Sequence, residues 1–229
     1  MLTIFGVPFS AHTRKVIVGL HEKGLDFRLE PIVPLRPVLP EVFLRASPLK
    51  KIPALIDGDL ALADSSVIAL YLDRVHPEAP LYPMAPAAYG QALWIEEFVD
   101  GALAEHVLHG LLFQRAIGPA FLGLQPDHAL IATTLNEKIP ARLGYLEAAL
   151  ENDWFAGGRF SQADITVASI LLNFHYAGER LDDRRYPRLY AFLHRALARP
   201  GFVKALTAEA PVAREAKILD MTFLGTLGY

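Results

Sequence analysis

Three short stretches carry side chains whose type and position suit the capture of a charged small ligand. In "VPFSAHTRKV", residues 7–16, Ser10 follows an apolar run and opens a helical pattern, with Arg14 and Lys15 close behind. Serine there is a preferred helix N-cap, because its oxygen satisfies an orphan backbone N–H. The same geometry suits chemistry. A helix N-terminus is positive and offers unpaired N–H donors, and a hydroxyl beside it can donate to a thiolate and favour the ionised form. The residue alone leaves both roles open, and Thr13 is a second hydroxyl close by.

In "KKIPAL", Pro53 interrupts what otherwise reads as a strand. Proline removes a ladder donor, which points to an edge strand or a bulge. The other reading is a cis-proline that exposes the backbone of Ile52, where an extended peptide can pair like an added strand. In "ADSSVIALYLD", Asp64 or Ser65 caps a further helix. A ligand with both an ammonium and a carboxylate would find helix N–H groups and a serine for its carboxylate, and Asp64 for its ammonium.

The elements that must hold these groups follow from pattern. The chain has 229 residues, which is one large domain or two small ones. Apolar residues make up 52%, enough for a sizeable core. "LTIFGV" (2–7) reads as a buried strand, 10–23 as a helix stopped at Gly24, and "LDFRLEPIV" as a second strand. That is the size of one parallel crossover unit. Pro31, Pro34, Pro37 and Pro40 mark an extended loop before a short helix, "DGD" marks a hairpin, and the helix from Asp64 stops at Pro77. Residues 78–86 lie in a proline-dense stretch, "PEAPLYPMAP", read as a linker. Beyond residue 87 every segment is helical, at about 87–117, 126–151, 162–178, 187–198 and 200–209, with an ambiguous tail from Pro211. A small α/β domain therefore precedes an all-α one.

Composition removes several classes. There is no cysteine, so disulfides, thiolate metal sites and a protein thiol nucleophile are excluded, and any sulfur chemistry must use sulfur brought by a ligand. The net charge is −3 with scattered cations, so no basic stripe offers itself to nucleic acid. No run of 18 apolar residues predicts a membrane span. "MLTIFGVPFS" has neither the charged start nor the cleavage site of a signal peptide, which makes the cytoplasm the expected location. His106 and His109 share a helical face, but no third ligand completes a metal pattern. Ser161 and Asp164 have capping-box spacing, with Phe160 and Ile165 placed as a hydrophobic staple, a signature of stability rather than chemistry.

In order and lettering, the phrases "FSAHTRKVIVGLHEKGL", "SPLKKIPALIDGD", "LADSSVIALYLD" and "FAGGRFSQADITVASILL" resemble the glutathione transferases. The resemblance spans nearly the whole chain and is strongest over residues 1–77. It implies a thioredoxin-like N-terminal domain at 1–77, a linker at 78–86 and a helical-bundle domain at 87–229 that carries the second-substrate site. Glutathione would be the cosubstrate, without a metal, and the chain would form a homodimer. Ser10 matches the serine that activates the glutathione sulfur in theta-like and zeta-like members. Phe5 stands near where other members place a tyrosine, and the cysteine type is excluded. Pro53 matches the family's cis-proline and Ile52 its backbone-pairing residue. Asp64 and Ser65 match the acidic–serine pair that holds the γ-glutamyl end, with Asp in place of the commoner Glu. Lys51 matches a lysine that reaches the ligand; Lys50 and Arg36 are further candidates for the glycyl carboxylate. Phe9, His12, Phe98 and Phe113 are the expected wall of an apolar second-substrate pocket. The implied activity is attack of the glutathione thiolate on an apolar electrophile. The alternatives are a glutathione-dependent isomerase or dehalogenase, or a catalytically silent binding or interaction protein of the same fold.

Overall fold

The computed structural model describes all 229 residues. Its N-terminal half is built on a four-stranded sheet of order β2-β1-β3-β4. Strand β1 (Leu2–Phe5) runs parallel to β2 (Phe27–Glu30), joined through helix α1 (Ala11–Glu22). Strand β3 (Ala54–Asp57) is antiparallel to β1 and forms a hairpin with β4 (Leu60–Ala63). β1 is buried along its whole length, as a short unbroken apolar run requires of a central strand. Pro53 sits just before β3, which is a central strand, and the Ile52–Pro53 bond is cis. The edge-strand reading of that proline therefore gives way, and the cis bond expected on the other reading is present. Helix α2 (Glu41–Ala46) covers one sheet face through Phe43 and Ala46, while α1 and α3 (Ser65–Val75) cover the other through Val16, Leu20, Ile68 and Leu72.

The C-terminal half is entirely helical. A long helical run over 86–122 begins as α4 (Pro86–Glu97), passes through π-helical stretches at Phe98–Leu103 and Glu105–Ile117, and ends as α5 (Gly118–Leu122). Its neighbour begins as α6 (His128–Thr133), widens into π-helix at Thr134–Lys138, and continues as α7 (Ile139–Ala149). Plain α-periodicity does not anticipate these i→i+5 segments, a backbone form that is rare and concentrates at functional sites. Helix α8 (Gln162–Tyr176) is buried at every position and is the axis of this half. Around it stand α9 (Pro187–Leu197), α10 (Pro200–Ala216) and α11 (Thr222–Thr226). The ambiguous tail thus continues α10 to Ala216 and, after a short non-helical link, forms α11. α10 carries through the exposed Pro211 because Ala210 and Ala213, either side of it, are buried, and Phe223 of α11 stacks on His175 at 3.8 Å.

The proline-rich joint is not a loose tether. Leu81 and Tyr82 are buried, the Leu81 N–H donates to Asp73 at 2.7 Å, and Lys23 donates to the carbonyls of His76 and Ala79. α1 also presents Ala11, Ile17 and Val18 to the large core of the helical half. The same helix therefore belongs to both halves. No helix is long and apolar enough to cross a membrane.

Candidate functional site

Ser10 is the N-cap of α1, with extended backbone (φ −70°, ψ 125°), and its Oγ accepts from the Thr13 N–H at 3.5 Å. It is half-buried, and its own hydrogen is donated to nothing in the chain. A hydroxyl has two acceptor lone pairs and one donor. Capping uses a lone pair, so the structural and chemical roles of Ser10 do not compete. The N–H groups of Ala11 and His12, in the first turn beside it, have no partner either. Thr13 is different. It is wholly buried and packs so tightly on Gly6 that a Cβ at Gly6 would collide with its hydroxyl. A ligand on the surface cannot reach it.

The register Phe5↔Ala54 sets the start of β3 beside the end of β1, from which the Ser10 loop departs. Here the Ile52 N–H and C=O make no hydrogen bond within the chain. The loop before them is held by the buried Ser47, whose hydroxyl donates to the Lys51 carbonyl at 2.7 Å and accepts from the Lys51 N–H at 3.0 Å. Lys50 adopts φ +55°, and the charged ends of Arg36, Lys50 and Lys51 are exposed without partners.

Asp64 caps α3. Its Oδ1 accepts from Ser66 and Val67 N–H at 2.9 and 3.2 Å, which leaves Oδ2 unused. Its backbone lies at φ +79°, a conformation costly for a non-glycine residue. Such strain is stored where the surroundings demand a particular aim. Ser65, buried behind it, makes no side-chain hydrogen bond.

The starts of α1 and α3 are drawn together by charges that the sequence did not announce. The buried Lys15 ammonium donates to Ser66 Oγ at 2.8 Å and Asp100 at 2.5 Å, and lies 2.7 Å from Glu96. Tyr82 donates to the other Glu96 oxygen at 2.7 Å. Burial alone would lower the Lys15 pKa; Asp100 and Glu96 reverse this and raise it, so the cation stays charged. The only hint in the chain was that Glu96 and Asp100 lie four apart on an apolar helix. His12 leans on the same carboxylate, its Nδ1 3.5 Å from Asp100 Oδ1. Burial lowers its pKa despite the pull of Asp100, so the ring is neutral at pH 7.

The four residues expected in a second-substrate pocket meet the following surroundings. Phe9 is half-buried beside Ser10 and packs on the large core. His12 faces Asp100. Phe98 sets its ring 4.4 Å from Tyr145 and 6.0 Å from Trp94, and Phe113 lies half-buried against Gly118. No group of three or more metal-ligating side chains converges in the chain. The capping box at α8 is present: Asp164 accepts from Phe155 N–H, Ser161 N–H and Ser161 Oγ at 2.9, 2.8 and 2.7 Å.

Comparison with known proteins places both halves of the chain beside one family. A family model described as "Glutathione S-transferase, N-terminal domain" matches residues 4–80, and one described as "Glutathione S-transferase, C-terminal domain" matches residues 122–209. Glutathione S-transferase 3 of Zea mays is 30% identical over 224 residues, covering 90% of this chain and 94% of its own. A stringent starvation protein A homolog of Pasteurella multocida is 26% identical over 215 residues, 92% of either chain. The apo structure of human glutathione-S-transferase T1-1 aligns with a TM-score of 0.82 at 25% identity, covering 95% of this chain and 91% of that one.

Proposed function

The chain belongs to the glutathione S-transferase family, and from that premise we propose that it activates glutathione at Ser10 for attack on an apolar electrophilic small molecule. Glutathione carries a thiol, a backbone able to pair, and a γ-glutamyl end with both charges. Those groups correspond to Ser10, to the unpaired main chain of Ile52 ahead of Pro53, and to Asp64 with Ser65. Lys51 is an exposed cation available to the glycyl carboxylate. The observation that carries the reading is the uncommitted hydrogen of the Ser10 hydroxyl at the open end of α1, while Thr13 is sealed away.

An ordinary thiol ionises near pH 8.5, so most of it is protonated at neutral pH. Lowering that by about two units needs ~2.7 kcal/mol of differential stabilisation. One hydrogen bond to a charged acceptor plus a helix N-terminus supplies that order. The sulfur then forms a bond to the electrophilic carbon, the leaving group departs with its electron pair, and the thiol proton passes to solvent. The direct test is the ultraviolet absorbance of bound thiolate at neutral pH. Ser10→Ala should cut it and the turnover of a model electrophile together; retention of both removes Ser10 from the chemistry. Isomerisation and dehalogenation share this first half-reaction and are separated by product analysis.

A second reading is favoured by one observation: a relative named for stringent starvation matches along 92% of the chain. Under it the molecule binds glutathione or a protein without turnover. Retention on immobilised glutathione with no activity across a broad panel of electrophiles would decide for it. In either case we propose a homodimer formed through the aromatic face of Trp94, Phe98 and Tyr145, since Trp94 is 54% exposed. Sedimentation of Trp94→Glu as a monomer, against a dimeric parent, is the expected outcome.

A further inference from the structure

Arg14 is wholly buried, and a guanidinium in that setting is costly unless every N–H is paired. All of them are. Nε and Nη2 fork onto Glu209 at 2.7 and 2.6 Å. Nη1 donates to the Ser169 carbonyl at 2.9 Å and to Asn173 Oδ1 at 2.8 Å. The remaining Nη2 hydrogen goes to the Phe9 carbonyl at 3.3 Å. The Tyr176 hydroxyl completes Glu209.

The Phe9 carbonyl is where this network leaves the core. It receives a second donor, Asn173 Nδ2, at 3.2 Å. It belongs to the peptide unit that enters Ser10, whose N–H in turn donates to Val7 at 3.1 Å. The peptide unit that leaves Ser10 is held by the Arg14 backbone N–H on the Ser10 carbonyl at 2.8 Å. Both planes flanking Ser10 are therefore fixed, and Arg14 touches both, one with its side chain and one with its main chain. The hydroxyl keeps only its χ1 rotation. A cap that served α1 alone would not need an ion pair reaching 195 residues along the chain into α10.

We propose that Arg14, held by Glu209 and Asn173, is a positioning residue that sets the aim of the Ser10 hydroxyl, so that the helical half tunes the ionisation of a sulfur bound to the other half. This rests on the reading of Ser10 as the thiolate's donor. Pre-organisation of this kind acts through geometry, since reacting groups must be held to a fraction of an ångström.

The test uses the full chain and titrates the absorbance of bound glutathione thiolate against pH, with kcat and KM for glutathione measured beside it. Asn173→Ala removes one donor from the Phe9 carbonyl and one acceptor from Arg14 Nη1, and leaves the Arg14–Glu209 fork in place. It should raise the thiol pKa by about half a unit, roughly a threefold fall in the ratio of thiolate to thiol. Arg14→Lys, which cannot fork, should raise it by about one unit, tenfold. KM for glutathione should hold, because Asp64 and Ser65 are untouched. In a Ser10→Ala background, Asn173→Ala should have no further effect on the thiol. A fall in melting temperature with the thiol pKa unmoved overturns the proposal, as does a shift that persists without the Ser10 hydroxyl. If Ser10→Ala itself leaves the thiol unchanged, the underlying reading fails instead. Should Arg14→Lys not fold, Asn173→Ala decides alone.

Discussion

Two serines open helices in this molecule and meet opposite surroundings. Ser161 at the head of α8 is 1% exposed; it donates to Asp164 at 2.7 Å, and Asp164 in turn accepts two backbone N–H groups. Ser10 at the head of α1 is half-exposed, its one hydrogen bond is long, and its donor is unspent. A cap that serves stability uses up its hydrogen-bonding capacity within the chain. A cap with chemistry to do holds a donor in reserve, and the surrounding residues, not the serine, carry the cost of keeping it in place.

The widest separation between the two should come from Asp164→Ala. It strands the Phe155 and Ser161 N–H groups and the Ser161 hydroxyl in the core, and at about 1–3 kcal/mol for each buried unpaired group the loss should approach ~4 kcal/mol. Denaturant titration would read this, while the thiolate titration of the folded protein should not move.

The sealed cap also titrates. Burial pushes the Asp164 carboxyl up to about 6, against the opposing donors of Phe155 and Ser161. The folded state then holds that proton more tightly than the unfolded state. The resulting stability is complete below about pH 4 and is lost as pH rises through 6, ~3 kcal/mol in all. At the far end of α8, burial and Arg180 push His175 down to about 4. Its contribution has the opposite sign: it is present above about pH 6.5 and lost as pH falls toward 4, by a similar amount. The two should nearly cancel in the parent. Asp164→Asn should therefore uncover a stability that climbs steeply between pH 4 and 6.5, and a flat profile in that variant would contradict the assignment.

Ser10→Ala should invert the Asp164→Ala pattern. The ratio of thiolate to thiol should fall about thirtyfold, ~2 kcal/mol, since the helix N-terminus remains, while folding stability drops by no more than about 1 kcal/mol. The smallest effect sharpens the contrast between Ser10 and its neighbour. Thr13 Oγ1 is buried without a partner, so Thr13→Val exchanges an unsatisfied hydroxyl for a methyl group of similar size. Stability should hold or rise by about 1 kcal/mol, with the thiolate titration unchanged.

What could be read from the chain beforehand was local. The residues that cap α1, α3 and α8, the proline before β3 and the hairpin at Gly58 are each specified by neighbours within a few positions. The electrostatics were not. Arg14 and Lys15 look in sequence like solvated charges at the start of a helix. Their burial depends on Glu209, 195 residues on, and Asp100, 85 residues on, which no window of pattern connects. The π-helical stretches escaped for another reason: apolar spacing reports which face is buried, and a widened turn shifts that face without leaving a residue type to mark it. Phe98 opens the first such stretch, with its ring 4.4 Å from Tyr145.

The sharing of α1 between sheet and bundle bears on how the molecule comes apart. Val16 and Leu20 face the sheet, while Ala11, Ile17 and Val18 face the bundle, so neither half can melt without stripping a wall from the other. Calorimetry should accordingly record one heat-absorption peak, not two, and severing the chain at the joint should yield fragments that stay unfolded until mixed.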